Sequence, residues 1–347
     1  MLVTKQPVLK RFWYPVLPLP QLGDQPHPFT LLGQKIVIWR DRQGQPVVTE
    51  DRCCHRSAQL SQGQIIDGTI QCPYHGWQFD GAGTCVTVPQ LNGTKIPDRY
   101  CIKPFQAAER YGYIWVCLSD APLQDIPAIP EAAEADFRLI PEFYEPWSCA
   151  GLRVMENEFD MAHPTFVHTG TFGSADHPLP EKLDVVETNT GIRTQALLGV
   201  VNPPEQQQNL KMDQVQTHRT LDVDWFMPFT CKLRINYPNG LVHIIVNTAT
   251  PIDDRTSQIV QFCLRNDTEA DTSTVDVIAF DRRVTLEDKA ILETTDYDVP
   301  LRPSQEQHMF TDQPGLLMRR KLLALLKAHG EVEQTLAASI LSSHDHS

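Results

Sequence analysis

The sequence predicts an α+β protein in which an all-β domain comes first and a domain of antiparallel sheet and surrounding helices follows. In the first part of the 347-residue chain, short β-branched and aromatic runs lie between turn residues, which is typical of strands. Later runs of this kind are followed by segments with helical spacing. The proline-rich passage at 122–141 would interrupt any regular element between the two parts. We therefore predict domains at 1–142 and 143–347, with the boundary near residue 143.

The periodicity of individual segments predicts the main elements. The predicted strands are 36–39, 46–49 and 112–117 in the first domain, and 233–237 and 242–246 in the second. Two helices are predicted in the second domain, at 278–295 and 316–326. In the first of them, Phe280, Val284 and Ile291 recur at helical spacing and would form the buried stripe. The two later strands could line an apolar pocket, although core packing explains such residues more often.

Composition indicates a cytoplasmic protein and argues against several functions. Hydrophobic residues make up 41% of the chain, enough for a core in each domain, yet no apolar run reaches the length of a membrane span. The first residues show neither an apolar signal segment nor a cleavage pattern. A net charge of −13 without a basic cluster argues against nucleic-acid binding. The cysteines are scattered, which argues against a secreted disulfide framework.

The most informative segment joins Cys53 and His55 to Cys72 and His75 in the arrangement C-x-H-x16-C-x2-H. Each half supplies one thiol and one imidazole. A [2Fe-2S] centre of Rieske type requires this set, because two thiolates bind one iron and two imidazoles bind the other. A structural zinc site is the alternative, but its ligands tend to come as a cysteine pair and a histidine pair. We predict that Cys54, between two of these residues, is not a ligand because four are already present.

A second motif, N-x2-D-x2-H-x4-H, consists of Asn157, Asp160, His163 and His168. On a regular helix the first three residues would share one face, whereas His168 would lie to the side of it. Pro164 lacks an amide hydrogen, so a local kink could bring the two histidines together. For an isolated H-x4-H pair, two hydrogen-bonded histidines near a helix end would be the simpler explanation.

Together, the two motifs resemble those of the Rieske non-haem iron ring-hydroxylating oxygenases, closest in character to their homotrimeric monooxygenases and demethylases. The resemblance covers nearly the whole chain and implies that His163 and His168 bind Fe(II) with a distant carboxylate. In the family this carboxylate belongs to a late E-D-x4-E motif, which here runs from Glu287 to Glu293. The resemblance implies Asp288 as the third ligand, while helical periodicity by itself does not separate Asp288 from Glu287.

The resemblance also implies a role for Asp160 and, with it, an assembly. In the family this aspartate does not bind iron but joins a cluster histidine of one subunit to an iron histidine of the next, since a carboxylate can accept from two imidazoles. A head-to-tail homotrimer is therefore expected. Asn157, from the same motif, is predicted together with Asp160 to be a catalytic residue.

The activity implied by the resemblance is the oxygenation of a small molecule. An external ferredoxin or flavin reductase would reduce the cluster, and O2 would be used at the iron to hydroxylate or oxidatively dealkylate an aromatic or other apolar substrate. The chain has no G-x-G-x2-G fingerprint, so NAD(P)H would be oxidised by the partner. The alternative is a non-catalytic Rieske electron-transfer or metal-binding protein, which would hold cluster iron without mononuclear iron.

Overall fold

The structure, a computed structural model, describes residues 1–303 and 306–336. The chain forms two compact units. One is Leu9–Ile126, and the other combines Met1–Val8 with the described residues from Pro127 onwards. The boundary predicted near residue 143 lies inside a strand of the second unit, Arg138–Trp147. Among the helices described, none is long and apolar enough to cross a membrane.

The first unit consists of antiparallel strands, as the sequence predicts. They are β1 (Tyr14–Pro18), β2 (His27–Leu31), β3 (Gln34–Arg40), β4 (Pro46–Glu50), β5 (Gln64–Ile66), β6 (Thr69–Gln71), β7 (Gln78–Phe79), β8 (Cys85–Thr87), β9 (Pro104–Arg110) and β10 (Tyr113–Cys117). One sheet has the order β1-β10-β9-β4-β3-β2, and another has the order β5-β6-β7-β8. The strands predicted at 36–39, 46–49 and 112–117 are confirmed as β3, β4 and β10. The run from Ile36 to Trp39 shows no alternation because all four side chains are buried.

The second unit combines an antiparallel sheet with helices, which confirms the predicted α+β class. Its strands are β11 (Arg138–Trp147), β12 (Lys182–Glu187), β13 (Gly191–Val201), β14 (Gln216–Phe226), β15 (Thr230–Asn236), β16 (Val242–Pro251) and β17 (Ser257–Arg265). They pair in the order β11-β17-β16-β15-β14-β13-β12. The helices are α1 (Gly151–Phe159), α2 (Pro164–Val167), α3 (Pro204–Leu210), α4 (Thr274–Leu292) and α5 (Gln313–Ala328). The two strands and two helices predicted for this domain correspond to β15, β16, α4 and α5.

Helix α4 begins after Ser273, whose hydroxyl accepts from the amide of Asp276 as an N-cap. Its buried residues are Val277, Phe280, Asp281, Thr285 and Leu292. The predicted stripe was therefore wrong at Ile291, which is 53% exposed. The inward face includes Asp281 and Asp288 beside Phe280 and Val284, so this face is wider than the apolar residues by themselves indicate.

The packing of three helices brings distant parts of the sequence together. Helix α1 packs on β14, β15 and β16, and α4 contacts α1, α2 and α3. The end of α1 and the short α2 therefore lie against the inward face of α4. This places the N-x2-D-x2-H-x4-H segment beside the acidic residues of α4.

Candidate metal centres

The two loops that carry the first motif have the same backbone hydrogen bond. The amide of Ser57 donates to the carbonyl of Cys53 at 3.0 Å, and the amide of Gly76 donates to the carbonyl of Cys72 at 3.1 Å. The fifth residue of each loop has positive φ, 61° at Ser57 and 75° at Gly76. This conformation suits glycine, since it lacks a Cβ. Each loop thus turns back over one cysteine and carries its histidine on the turn.

The thiols of these loops lie in the interior of the first unit. Cys53 and Cys72 are buried and pack with Trp77 and Phe79, whereas Cys54 is exposed. Burial, and after it the nearby Cys72, raises the pKa of the Cys53 thiol to about 12. A thiol in this environment stays protonated unless a metal ion binds and displaces the proton.

The imidazoles of the two loops face each other. The rings of His55 and His75 lie 4.4 Å apart between centroids, and His55 stacks on Trp77 at 4.6 Å. Gln90 holds His75 and Trp77 in place, because it donates to the carbonyl of His75 at 2.9 Å and accepts from the indole of Trp77 at 3.1 Å. The buried Nδ1 of His55 has no hydrogen-bond partner among the described residues. Two buried thiols and two adjacent imidazoles fit the ligand requirement of a Rieske cluster.

The second motif does not form the single kinked helix that its spacing suggests. Helix α1 ends at Phe159, and Oδ1 of Asp160 then accepts from the amides of Ala162 at 2.7 Å and His163 at 3.2 Å. Such a turn satisfies amides that begin a new helix, and Pro164 suits the first helical position because it has no amide hydrogen. His163 and His168 therefore flank the short α2 instead of lying along one helix.

The two histidines converge with Asp288 from α4. The two Nε2 atoms lie 3.2 Å apart, and Oδ1 of Asp288 lies 3.4 Å from Nε2 of His163 and 3.3 Å from Nε2 of His168. The centre of such a triangle lies about 1.9 Å from each corner, close to the roughly 2.0–2.1 Å at which imidazole binds zinc. A first-row metal ion could thus contact all three atoms from one side.

The electrostatics of the triad also fit a cation. Burial by itself would raise the pKa of Asp288, but His163 and His168 outweigh burial and hold the pKa well below its ordinary value. The Oδ1 atom of this carboxylate is buried and, in the part of the chain that the structure covers, has no hydrogen bond of normal geometry. Two imidazoles and one carboxylate with open positions opposite them are the ligand set of non-haem Fe(II) oxygenases.

Family models match both parts of the chain. Residues 12–102 match the Rieske [2Fe-2S] domain, and residues 147–328 match the vanillate O-demethylase oxygenase C-terminal domain. The second match spans more than half of the chain. The chain belongs to the Rieske non-haem iron ring-hydroxylating oxygenases. The resemblance in the two sequence motifs is thereby confirmed.

Individual relatives agree with the family assignment. Methylxanthine N1-demethylase NdmA of Pseudomonas putida is 29% identical over 343 residues, which cover 96% of this chain and 93% of the relative. Methylxanthine N3-demethylase NdmB of the same organism is 29% identical and covers 82% of this chain and 81% of the relative. The solved structure of NdmA superposes with a TM-score of 0.81 at 28% identity, covering 94% of this chain and 93% of NdmA.

The family fixes the general activity of this chain. It is the oxygenase component of a multicomponent Rieske oxygenase, with a Rieske [2Fe-2S] cluster, mononuclear iron and O2 as co-substrate. Electrons come from NAD(P)H through an external ferredoxin or reductase, and the substrate is a small organic molecule that is hydroxylated or oxidatively dealkylated.

Glu287, which helical periodicity does not separate from Asp288, lies against the outer side of His168. Its Oε2 is 2.9 Å from Nδ1 of His168 and accepts from the hydroxyl of Thr171 at 2.8 Å. Glu287 thus faces the outer nitrogen of His168, while Asp288 faces the inner one. A carboxylate in this position keeps the proton on Nδ1 and leaves Nε2 free for a metal. Glu293, the last acid of the motif, accepts from the amide of Ser148 at 2.8 Å.

Asp160 has one carboxylate oxygen that the local turn does not use. Its Oδ1 accepts from the two amides, whereas its Oδ2 lies 4.0 Å from Nδ1 of His163. The side chain of Asp160 is 37% exposed. The Nδ1 of His163 is buried and has no partner among residues 1–303 and 306–336. The half-exposed Asp160 could therefore accept from the buried nitrogen of His163 and from a further donor.

A cavity of about 130 Å³ opens beside the triad. Its apolar lining includes Val154, Leu198, Val200, Leu221, Leu233, Ile235, Ile245, Phe280 and Val284. Strands β15 and β16 thus contribute alternate side chains to the cavity, a role that the sequence analysis ranked below core packing. Asn157 and Glu158 bring polar groups to the same space. Glu158 was missed from the sequence; burial, and after it the charge of Asp288, raises its pKa to about 8.

Proposed function

We propose that this oxygenase is a monooxygenase that removes a methyl group from a nitrogen or oxygen of a small aromatic or heteroaromatic molecule. The observation that carries the proposal is the cavity of about 130 Å³ with the triad in its wall. This volume is close to the roughly 150 Å³ of an engineered apolar cavity that binds benzene. A planar molecule of about one ring therefore matches the space, and the demethylase names of the relatives point to the same chemistry.

We assign the metal groups to the residues that the motifs and the geometry bring together. Cys53, His55, Cys72 and His75 would hold the cluster, while His163, His168 and Asp288 would hold the iron. When bound, these groups supply electrons and activate dioxygen. The overall change consumes O2, two electrons and two protons, and it converts the methyl carbon to formaldehyde with release of water.

The protein around the triad would select and orient the substrate. Apolar side chains from β13, β14, β15 and α4 form most of the wall and exclude water from a bound ring. Asn157 offers an amide donor and acceptor close to the triad, which could fix a carbonyl or hydroxyl substituent. The methyl group to be oxidised would then point towards His163, His168 and Asp288.

A head-to-tail homotrimer forms part of the proposal, as does a cytoplasmic location. The free Oδ2 of Asp160 and the unpaired Nδ1 of His163 support a bridge from Asp160 to a cluster histidine of the next subunit. A carboxylate that accepts from two imidazoles would fix both rings and give the electron a short path. Analytical ultracentrifugation tests the assembly directly, and a monomer with full coupled turnover would refute the bridge.

The test of the function has two parts. Iron and acid-labile sulfide are first measured on anaerobically prepared protein, and three irons for every two sulfides are expected. Methoxybenzoates and N-methylated heterocycles are then supplied with a ferredoxin, a reductase and NADH. We expect one formaldehyde for each demethylated product. Two irons for every two sulfides after Fe(II) addition would favour an electron carrier, and cis-diols without formaldehyde would refute demethylation.

A further inference from the structure

A second group of potential metal ligands lies about two turns of α4 from the triad, and two of its members, His243 and Asp281, line the same cavity. Glu142 of β11, His243 of β16, Cys263 of β17 and Asp281 of α4 each offer one donor atom, and these atoms all lie within 4.8 Å of one another. The pairing of β11 with β17 shifts register between Pro141 and Phe143, so Glu142 occupies a bulge. Bulges redirect side chains, and this one lets Glu142 join the group.

Three side chains of this group are buried and Glu142 is half-buried, and three of the four residues have a buried polar atom without a normal hydrogen bond. The exposed fractions are 3% for His243, 0% for Cys263 and 6% for Asp281. Nε2 of His243 and Oδ2 of Asp281 lie 3.1 Å apart, yet neither atom has a hydrogen bond of acceptable geometry to any described residue. The same holds for Oε1 of Glu142. Buried polar atoms without partners are costly, which points to a missing ligand.

The iron triad shows the same geometric pattern. There too an imidazole nitrogen and a carboxylate oxygen approach to 3.3 Å, and Oδ1 of Asp288 has no well-oriented partner in the described chain. Asp281 precedes Asp288 by seven residues on α4, which is about two turns and about 10.5 Å along the axis. The same face of α4 therefore contributes Asp281 to the second group and Asp288 to the triad, at separate positions.

The local charge also favours a cation. Glu142 and Asp281 bring two carboxylates into one group, where two negative charges would oppose each other. The nearest basic group to Asp281 is His243 at 3.1 Å, whereas the more distant Arg265 is held by Asp267 at 2.6 Å and by the carbonyl of Asn209 at 3.2 Å. A bound dication would balance the two carboxylates, and with Cys263 bound as a thiolate the group would carry a net charge of about −1.

We propose that Glu142, His243, Cys263 and Asp281 form a structural binding site for a divalent transition metal, with zinc as the best match. A thiol, an imidazole and two carboxylates suit zinc, whereas magnesium and calcium prefer oxygen ligands throughout. Four protein ligands would close the coordination shell, as in structural zinc sites. The amide of Gln261 donates to Oε2 of Glu142 at 2.7 Å and would orient that carboxylate. The metal would tie β11, β16 and β17 to α4.

The experiment measures zinc and iron on the full chain with cluster and iron loaded, after incubation with zinc and desalting. We expect about one zinc per chain beyond the iron, and close to none in Cys263→Ala. The matched control is Cys231→Ala, because Cys231 is an equally buried cysteine outside the group; this variant should keep its zinc. A His163→Ala/His168→Ala double variant should also keep it, which separates this site from the triad.

Cobalt provides a second test, whose first readout is made on the wild-type chain. Co²⁺ bound to the wild-type chain should give a thiolate-to-cobalt absorption band, which Cys263→Ala loses and Cys231→Ala retains. Absence of both zinc and the band in the wild type would overturn the proposal and leave a proton-sharing network of Glu142 and Asp281. Loss of zinc in the triad variant, with retention in Cys263→Ala, would equally overturn it.

Discussion

Replacing Glu287 by alanine is expected to weaken iron binding although Glu287 is not one of the proposed ligands. The Nδ1 of His168 loses its acceptor at 2.9 Å, and the imidazole then has no negative group that keeps the proton on the outer nitrogen. His168 is nearly fully buried, so water cannot readily replace the carboxylate. The inner nitrogen becomes a weaker donor, and the ring is less well oriented.

The magnitude follows from two independent estimates. A hydrogen bond to a charged group contributes about 1.5–3 kcal/mol. Removing the outer partner of a metal-binding histidine typically costs about 10–100-fold in affinity, which is about 1.4–2.7 kcal/mol. We therefore expect the dissociation constant for Fe(II) to rise by about 10–100-fold in Glu287→Ala. Glu287→Gln keeps an acceptor without the charge and should lose less.

The assay is an anaerobic titration with Fe(II) against a competing chelator, carried out on protein whose Rieske spectrum shows that the cluster domain is intact. Glu293→Gln is the control, because its amide oxygen can still accept from Ser148 and it lies outside the triad. Wild-type affinity in Glu287→Ala would refute the role of Glu287. If Glu287→Ala emptied the site while Asp288→Ala kept iron, the roles of the two acids would be reversed.

Three further predictions concern other parts of the chain. His75→Ala should remove the visible absorption of the cluster, and a full spectrum would exclude His75 as a ligand. Asp160→Asn should keep both metals yet lose nearly all coupled turnover, whereas normal turnover would exclude the bridge. Glu131→Gln should lower the free energy of unfolding in urea by about 3–5 kcal/mol, because Glu131 forms a buried pair with Lys232 at 2.7 Å. Burial alone would raise the pKa of Glu131, but Lys232 lowers it overall, so the stabilisation is present above the ordinary pKa and is lost as pH falls through the lowered one. Unfolding of Glu131→Gln should therefore depend less on pH in that acidic range, and an unchanged acid dependence would contradict the assignment.

The cluster motif could be recognised from sequence because its geometry is local. Each loop closes by a hydrogen bond over four residues, from Cys53 to Ser57 and from Cys72 to Gly76. The spacing of thiols and imidazoles therefore predicts the ligand set that we propose. The two histidines of the second motif are similarly local, although the break comes at Asp160, where the side chain closes a turn, and not at a kink within one helix.

The third acid shows where sequence patterns become insufficient. Adjacent residues on a helix differ by about 100° in direction, so the choice between Glu287 and Asp288 depends on the rotation of α4 about its axis. Apolar periodicity failed at Ile291, which is exposed, whereas the buried side chains of α4 include the polar Asp281 as well as Phe280. Packing of α4 against α1 and α2 is what turns Asp288 towards the histidines.

The sequence by itself determined the family, the α+β class, the cluster motif and the pair of histidines, since each depends on residues close together in the chain. Only the tertiary structure decided the position of Asp288, the lining of the cavity and the group of Glu142, His243, Cys263 and Asp281. The last of these groups joins β11, β16, β17 and α4, and it depends on strand register and on the bulge in β11. Spacing along a chain encodes a local turn, but it does not encode which distant side chains a folded sheet brings face to face.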